Sequence, residues 1–367
     1  MQEQTSAPGL GQNVFTITYW GVTGTLTTPL RAEEVTGKLI AALQYLIERD
    51  RLADLRPGPD LEANIRRRIE EELPFHLRSS YGGNTTCVEV QTPDALLILD
   101  CGSGFRELGV ALAARWSQRS QAEPGKEKGA ERTAHVLVTH PHIDHIYATP
   151  YFPPYYDPNN HFTIYGSPDT LHSIGVLFDP QSEMSRRYFP PTYDQMMALK
   201  EFRPIPPGSS FDIGSTHIRT HALTHPGGCL AYRLENAGRV FVFATDHEQV
   251  EAPDRGLAEF ARGADLFYTE GQYTCGEYEG HDKIGCSPAL PRQGWGHSSL
   301  EACVCTAVAA GVRELHLGHR DPARSDEGIA NLEIFLHERL REELRRAGRA
   351  DDSCRARIVP EGLTVRC

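Results

Sequence analysis

The chain has 367 residues, 40% of them hydrophobic and 23% charged, an ordinary globular balance that excludes a disordered or fibrous protein. A formal net charge of -12 argues against a polynucleotide partner, because gripping a long polyanion takes a basic face that releases counterions, while a small anion stays admissible. Nine cysteines without a CxxC pair, Cys303 and Cys305 among them, fit reduced thiols rather than a disulfide framework or a cysteine-type zinc site.

The N-terminal MQEQTSAPGLGQN carries neither a cationic start nor an apolar core, and no run of about 18 apolar residues follows, so the expectation is a cytoplasmic protein without a membrane partner. The first strand is expected in VFTITYWGV, which alternates, is β-branched and ends in the turn GVTG. From Ala32 to about Arg51 the period changes: Val35, Leu39, Leu43, Leu46 and Ile47 recur at helical spacing. Beyond RPGPD the same spacing returns in Leu61, Ile65, Ile69 and Leu73. Residues 31–78 therefore read as an inserted helical hairpin, either packed on the domain surface or serving as a lid or dimer contact.

YGGNTTCVEVQTPDALLILDCGSG returns to strands, two short runs about a turn at Thr92 to Asp94, ending at Asp100 in a glycine-rich bend. A helix is expected from there to about Trp116, and the polar stretch 121–133 reads as a solvated loop. The strand AHVLV comes next, then proline-rich aromatic loops, strands near 161–165, 216–222, 229–234 and 239–244, and a helix near 299–310 that feeds a strand in RELHLGH. Strands followed by a helix, then strands and helices again, point to two similar halves. The expected class is α/β, an αββα sandwich of two packed mixed sheets flanked by helices, one domain over 1–367 with 31–78 as an insertion.

THPHIDH, directly after AHVLV, concentrates coordinating side chains. His140 and His142 alternate at a strand end, so both can point one way, and Asp144 and His145 follow in the loop beyond. Three further β runs each end in one coordinating residue: His225 in HALTHPGG, Asp246 in FVFATDHE and His319 in LHLGHRDP. Imidazoles and carboxylates at several strand ends can converge on one edge of a sandwich, as a mixed nitrogen and oxygen metal site requires.

HxHxDH followed by a lone His, a lone Asp and a final His is similar to the metallo-β-lactamase superfamily, over nearly the whole chain apart from 31–78. The resemblance implies two divalent metal ions. One would be held by His140, His142 and His225, the other by Asp144, His145 and His319, with Asp246 bridging. All-nitrogen-and-oxygen ligation suits zinc, with manganese and iron as alternatives.

GWGHSSLEA narrows the chemistry. Ser298 and Glu301 make a capping box, so a helix is expected right after His297, its first-turn N–H groups forming a seat for a phosphate oxygen. Beside that seat, His297 could protonate a leaving oxygen. The segment resembles the helix-start motif of ribonuclease Z and its small phosphodiesterase relatives. With WGVTGT, YGGNTTCVEV and ILDCGSG it is most similar to the cyclic-nucleotide and cyclic-phosphate phosphodiesterase branch. In that branch's DAQYT, Glu270 here stands where Asp is usual, which leaves the role of residue 270 open.

The resemblance implies a phosphodiesterase of small cyclic nucleotides or cyclic phosphates, acting by attack of a metal-bridging hydroxide that Asp144 orients while His297 serves the departing oxygen. Asp100 and Asp321 are candidates to accept the remaining N–H of a ligating imidazole, or else turn residues. Tyr147, Tyr151, Tyr155, Tyr156, Tyr188 and Phe189 could stack a base. The partner expected is a small anionic phosphodiester, and homodimers are common among such proteins. The alternatives are an RNA 3′-end endonuclease of ribonuclease Z type, a lactonase or thioesterase, and a slow-turnover nucleotide- or metabolite-sensing module.

Overall fold

The computed structural model describes residues 15–122, 132–179 and 195–367. The polar N-terminal stretch, most of the loop expected at 121–133, and the aromatic pair Tyr188 and Phe189 lie outside them. Among the described residues, fourteen strands form two sheets of seven, ordered β14-β1-β2-β3-β4-β5-β6 and β13-β12-β11-β10-β9-β8-β7. The first comprises β1 (Thr16–Gly21), β2 (Cys87–Gln91), β3 (Leu96–Leu99), β4 (Thr133–Leu137), β5 (His161–Gly166), β6 (Leu199–Pro204) and β14 (Thr364–Arg366). The second comprises β7 (Ser210–Ile213), β8 (Thr216–Leu223), β9 (Cys229–Asn236), β10 (Arg239–Ala244), β11 (Leu266–Glu270), β12 (Glu314–Gly318) and β13 (Arg355–Ile358).

Both sheets follow one plan, antiparallel pairs first and parallel pairs after. This is the repeat of two similar halves that the element order predicts. Strand alternation sorts the apolar side chains into layers. On β3 and β10, Leu97, Leu99, Phe241 and Phe243 fill the space between the sheets, while Ile98, Val242 and Ala244 turn outward. The outer layers are helices. On the first sheet lie α4 (Ser103–Ala122) and α6 (Pro168–Phe178), on the second α7 (Arg255–Phe260), α9 (Leu300–Ala310) and α10 (Asp326–Arg346). The result is the αββα sandwich, and no helix among the described residues is long and apolar enough to cross a membrane.

The insertion supplies α1 (Ala32–Glu48), α2 (Leu61–Glu72) and the single turn α3 (Phe75–Arg78). Its helices fall where the spacing puts them, but of the apolar stripe on α1 only Leu46 is buried. Two further helical segments bear on the site: α5 (Ile143–Ile146) and α8 (Cys275–Glu279).

Candidate metal centre

The seven residues of the predicted ligand set lie in the segments that follow the C-terminal ends of four strands, and all seven meet at one edge of the sandwich. His140 and His142 follow β4, His225 follows β8, Asp246 follows β10 and His319 follows β12. Asp144 and His145 occupy one helical turn, α5, rather than the loop expected from sequence. Turning the chain from strand to site requires left-handed backbone at three places: Asp100 (φ 63°), Asp246 (φ 53°) and His319 (φ 47°). Such backbone in a residue other than glycine costs on the order of 1–2 kcal/mol, borne where it aims a functional side chain.

Ligand atoms of His140, His142, His225 and Asp246 lie within 4.8 Å of one another, as do those of Asp144, His145 and His319. Asp246 faces both groups. Its Oδ2 is 3.5 Å from His140 Nε2, 3.7 Å from His225 Nε2 and 3.3 Å from His145 Nε2, while Oδ1 is 3.3 Å from His319 Nε2. Asp144 Oδ2 lies 3.2 Å from His319 Nε2 and accepts the Thr25 N–H at 2.7 Å.

Three imidazoles have their tautomers set by acceptors behind them. His145 Nδ1 donates to Asp100 Oδ2 at 2.9 Å and His225 Nδ1 to the Gly296 carbonyl at 2.7 Å. His140 Nδ1 donates to Thr139 Oγ1, whose own hydroxyl is given to Asp100. Each Nε2 is left as a lone pair aimed at the cluster, and buried His140 Nε2 has no hydrogen-bond partner at all. Lone pairs facing carboxylates at 3.3–3.7 Å repel unless positive charge lies between them. This donor set of nitrogen and oxygen fits divalent cations.

Without a metal, protons take that place. Burial disfavours a charged His319, but Asp246, Asp144 and Glu270 push its pKa up to about 10, and Asp246 and Asp144 raise His145 likewise. Burial works against ionised Asp144 and Asp246 too, yet the surrounding imidazoles hold both well below the usual carboxylate range. His140 is depressed, by burial first and His145 second.

His297 stands beside this cluster. Its ring stacks on His319 with centroids 5.1 Å apart, and Nδ1 lies 2.8 Å from Glu270 Oε2. Burial opposes a charged imidazole here, but Glu270 outweighs it and raises the His297 pKa. Glu270 Oε1 accepts the N–H groups of His247 and Ser298, so the carboxylate is pinned by backbone. The extra methylene relative to Asp lets one carboxylate take up two backbone donors while Oε2 supports His297 and comes within 3.7 Å of His319 Nδ1.

Residues 96–320 match the family model described as a beta-lactamase superfamily domain. The chain belongs to that superfamily. Its fold is the metallo-β-lactamase sandwich, a metallo-hydrolase scaffold, here with a His/Asp cluster able to bind metal. Ribonuclease J of Helicobacter pylori is 32% identical over 138 residues, 36% of this chain and 18% of that protein, so the match spans less than a fifth of the curated relative. Among solved structures, yeast PDE1 aligns with a TM-score of 0.56 at 14% identity, covering 96% of this chain and 99% of that one. A diphosphatase from the PhnP family aligns with a TM-score of 0.54 at 14% identity, covering 96% and 97%. At these identities the two structures show a shared superfamily fold.

Several details around this metallo-β-lactamase site differ from expectation. The cap of α9 is Ser299, whose side chain accepts from Ala302 N, and Ser298 instead donates to the His247 carbonyl and accepts from Gln249 N. Glu301 accepts from Cys275 N, so no capping box forms. Nor is the helix start an open anion seat. Ser298 N–H goes to Glu270 and Leu300 N–H to the Tyr273 carbonyl, which makes Glu270 the resident anion there.

Asp100 supports a ligand imidazole, whereas Asp321 accepts from Ala323 N within its own turn. Tyr155 is core, packed on Phe105, Phe152 and Phe162, and Tyr156 donates to the Pro150 carbonyl. Tyr151 stays exposed and Tyr147 half-buried. The sequence reading missed Glu248, whose carboxylate accepts from Gly294 N and Gly296 N and so holds the loop carrying half-exposed Trp295 against His225. The signal available was the pair of glycines flanking that tryptophan in GWGHSS.

Gly296 has φ 88°, and a Cβ there would collide with the His225 imidazole. Gly296→Ala is expected to weaken metal affinity roughly 10–100-fold, the range for disturbing a ligand's supporting contacts. Chelator competition measures it. Gly294→Ala, with similar backbone (φ 82°) but open space around its Cβ, should leave affinity near the parent value.

Proposed function

We propose that the protein is a metal-dependent phosphodiesterase hydrolysing a small cyclic nucleotide or cyclic phosphate. The observation that carries this reading is His297, an imidazole outside the seven-residue cluster whose side chain is 12% exposed, fixed through Nδ1 by Glu270 and stacked on His319. With Nδ1 committed, Nε2 is the atom left to give a proton, and the Glu270 carboxylate, by raising the His297 pKa, favours the form that carries it. It would be delivered to the departing ribose or alcohol oxygen.

His140, His142 and His225 would hold one ion, Asp144, His145 and His319 the other, with Asp246 shared, and zinc is the first choice for such ligands. What two divalent cations supply when bound is an acidified water at neutral pH and relief of charge on the phosphoryl oxygens. Asp144, anchored by the Thr25 N–H, would accept a hydrogen bond from the attacking water. The diphosphatase and PDE1 likenesses support chemistry on phosphate esters.

Substrate size follows from charge. Arg292, Arg320 and Arg324, the cations closest in sequence to the site segments, are buried or nearly so: Arg292 Nη1, Arg320 Nη2 and both terminal nitrogens of Arg324 go to backbone carbonyls, Thr23 and Glu277, and Arg320 Nε and Nη1 and Arg324 Nε are enclosed without a partner. That leaves metal and His297 to meet a single phosphoryl group. The ribonuclease J match favours a second reading, cleavage of RNA.

A panel of cyclic and linear phosphodiesters and an RNA, assayed with metal-analysed protein at 50 and 200 mM salt, separates the two. Turnover of a small diester with a shallow salt response is expected. Activity confined to RNA, falling about 10³-fold or more over that range, would establish the second reading instead. Stoichiometric metal, tight ligand binding and negligible turnover throughout would indicate a sensing module.

A further inference from the structure

Arg320 directly follows His319 and is buried. Its Nη2 lies 3.2 Å from Thr23 Oγ1, 2.9 Å from the Tyr81 carbonyl and 3.2 Å from the Gly82 carbonyl. These acceptors flank the inserted helices α1 to α3, Thr23 before them and Tyr81 and Gly82 after, so one guanidinium nitrogen gathers both ends of the insertion beside His319. The backbone is tied to the same place. Arg320 N–H donates to the Val22 carbonyl, and Gly24 N–H donates to the Arg320 carbonyl.

The turn held in this way touches two members of the metal cluster. Thr25, in left-handed backbone (φ 66°), donates its N–H to Asp144 Oδ2 at 2.7 Å. Gly24 packs against the His319 ring, where a Cβ would come 2.5 Å from Cε1 and 2.6 Å from Nδ1. Both contacts fall on the group formed by Asp144, His145 and His319. Keeping a cation in this interior is costly. Burial pulls the Arg320 pKa down to about 10, and Nε and Nη1 are enclosed without a partner. An apolar side chain of similar volume often serves folding as well as a buried charge or better, but it cannot hold a hydroxyl and two carbonyls from separate segments in register.

We propose that Arg320 is a positioning residue for one metal ion of the pair, holding the Val22–Thr25 turn so that Asp144 and His319 converge. The inference rests on the two-ion reading above and adds to it a residue outside the seven ligands. It also explains how a long insertion can leave and re-enter the chain so close to the site: its ends are fixed to the residue after His319, whatever the helices between them do.

Zinc titration of the metal-free full chain against a chelating indicator tests this. The parent should bind two equivalents. Arg320→Met should hold one ion as tightly as the parent and the other about 10–100-fold more weakly, the range for disturbing a ligand's supporting contacts. A role in folding alone would lower the melt without singling out one ion. Arg320→Lys offers three N–H donors to the same acceptors on a shorter arm and should recover much of the loss. In an Asp144→Asn background, where that ion's site is already damaged, Arg320→Met should cost little more, because the two changes act on one contact chain. Should Arg320→Met fold poorly, Thr23→Val, which deletes one acceptor at nearly constant volume, should show a smaller loss confined to the same ion. A two-ion parent whose variants lose both ions alike or neither, or losses that add in full to that of Asp144→Asn, would overturn the proposal. A parent that binds fewer than two equivalents would overturn the two-ion reading along with it.

Discussion

Replacing His297 with alanine is expected to lower kcat for a small phosphodiester by about 10²–10⁴-fold while metal per chain stays at the parent level. The expectation rests on how His297 is held. Its partner is the Glu270 carboxylate at 2.8 Å, and its ring lies flat on that of His319. The imidazole is thus rigid, polarised and adjacent to the cluster. Elemental analysis beside steady-state kinetics checks the prediction. His297 does come within 4.8 Å of Asp246 and His319, so a parallel loss of metal and turnover would make it a ligand and remove its role as proton donor. Retained turnover would remove the main reason for preferring phosphodiesters. Glu270→Gln sharpens the test. It keeps a polar contact to His297 but cancels the charge that raises its pKa, so a smaller loss of kcat with a changed pH profile is expected.

The ligand set was legible because each segment that carries it follows a conspicuous β run, and the sandwich brings the ends of those strands to one edge. Packing that depends on partners far along the chain was less legible. Spacing alone places α1 correctly but leaves open what covers Val35, Leu39 and Leu43, which stand exposed, since periodicity marks a face without saying what covers it. Ser298 and Ser299 are equivalent as candidate caps, and the choice falls to Ser299 because Ser298 is drawn to His247 and Gln249, some fifty residues earlier in the chain.

Asp100 and Asp321 were likewise indistinguishable by type. One faces His145 across the β3–β4 junction, and the other closes its own turn. Glu270 could not be read at all without coordinates, for its function lies in meeting two backbone N–H groups and an imidazole at once. Helix α10 was readable but unforeseen, with Ile329, Leu332, Leu336, Leu340 and Leu344 at helical spacing and all buried.

Asp246→Ala is expected to lose metal as well as activity, falling from two equivalents per chain to one or fewer. No other side chain in the cluster has one oxygen toward His140, His145 and His225 and the other toward His319. Its position is enforced by left-handed backbone and by the Thr245 hydroxyl, which donates to Oδ1 at 2.6 Å. Removing the carboxylate leaves five imidazoles sharing Asp144, too little negative charge for two divalent cations at one edge. Since metal bound only by the folded state stabilises it by about 2.7 kcal/mol at a hundredfold excess over Kd, stripping metal should lower the wild-type Tm by several degrees. The same treatment should change the variant far less. Asp246→Asn separates shape from charge: it preserves volume and one acceptor, so a metal content as low as in the alanine variant assigns the loss to charge. An Asp246→Ala protein that keeps two equivalents and its chelator-sensitive melt would show that Asp246 does not hold the pair together.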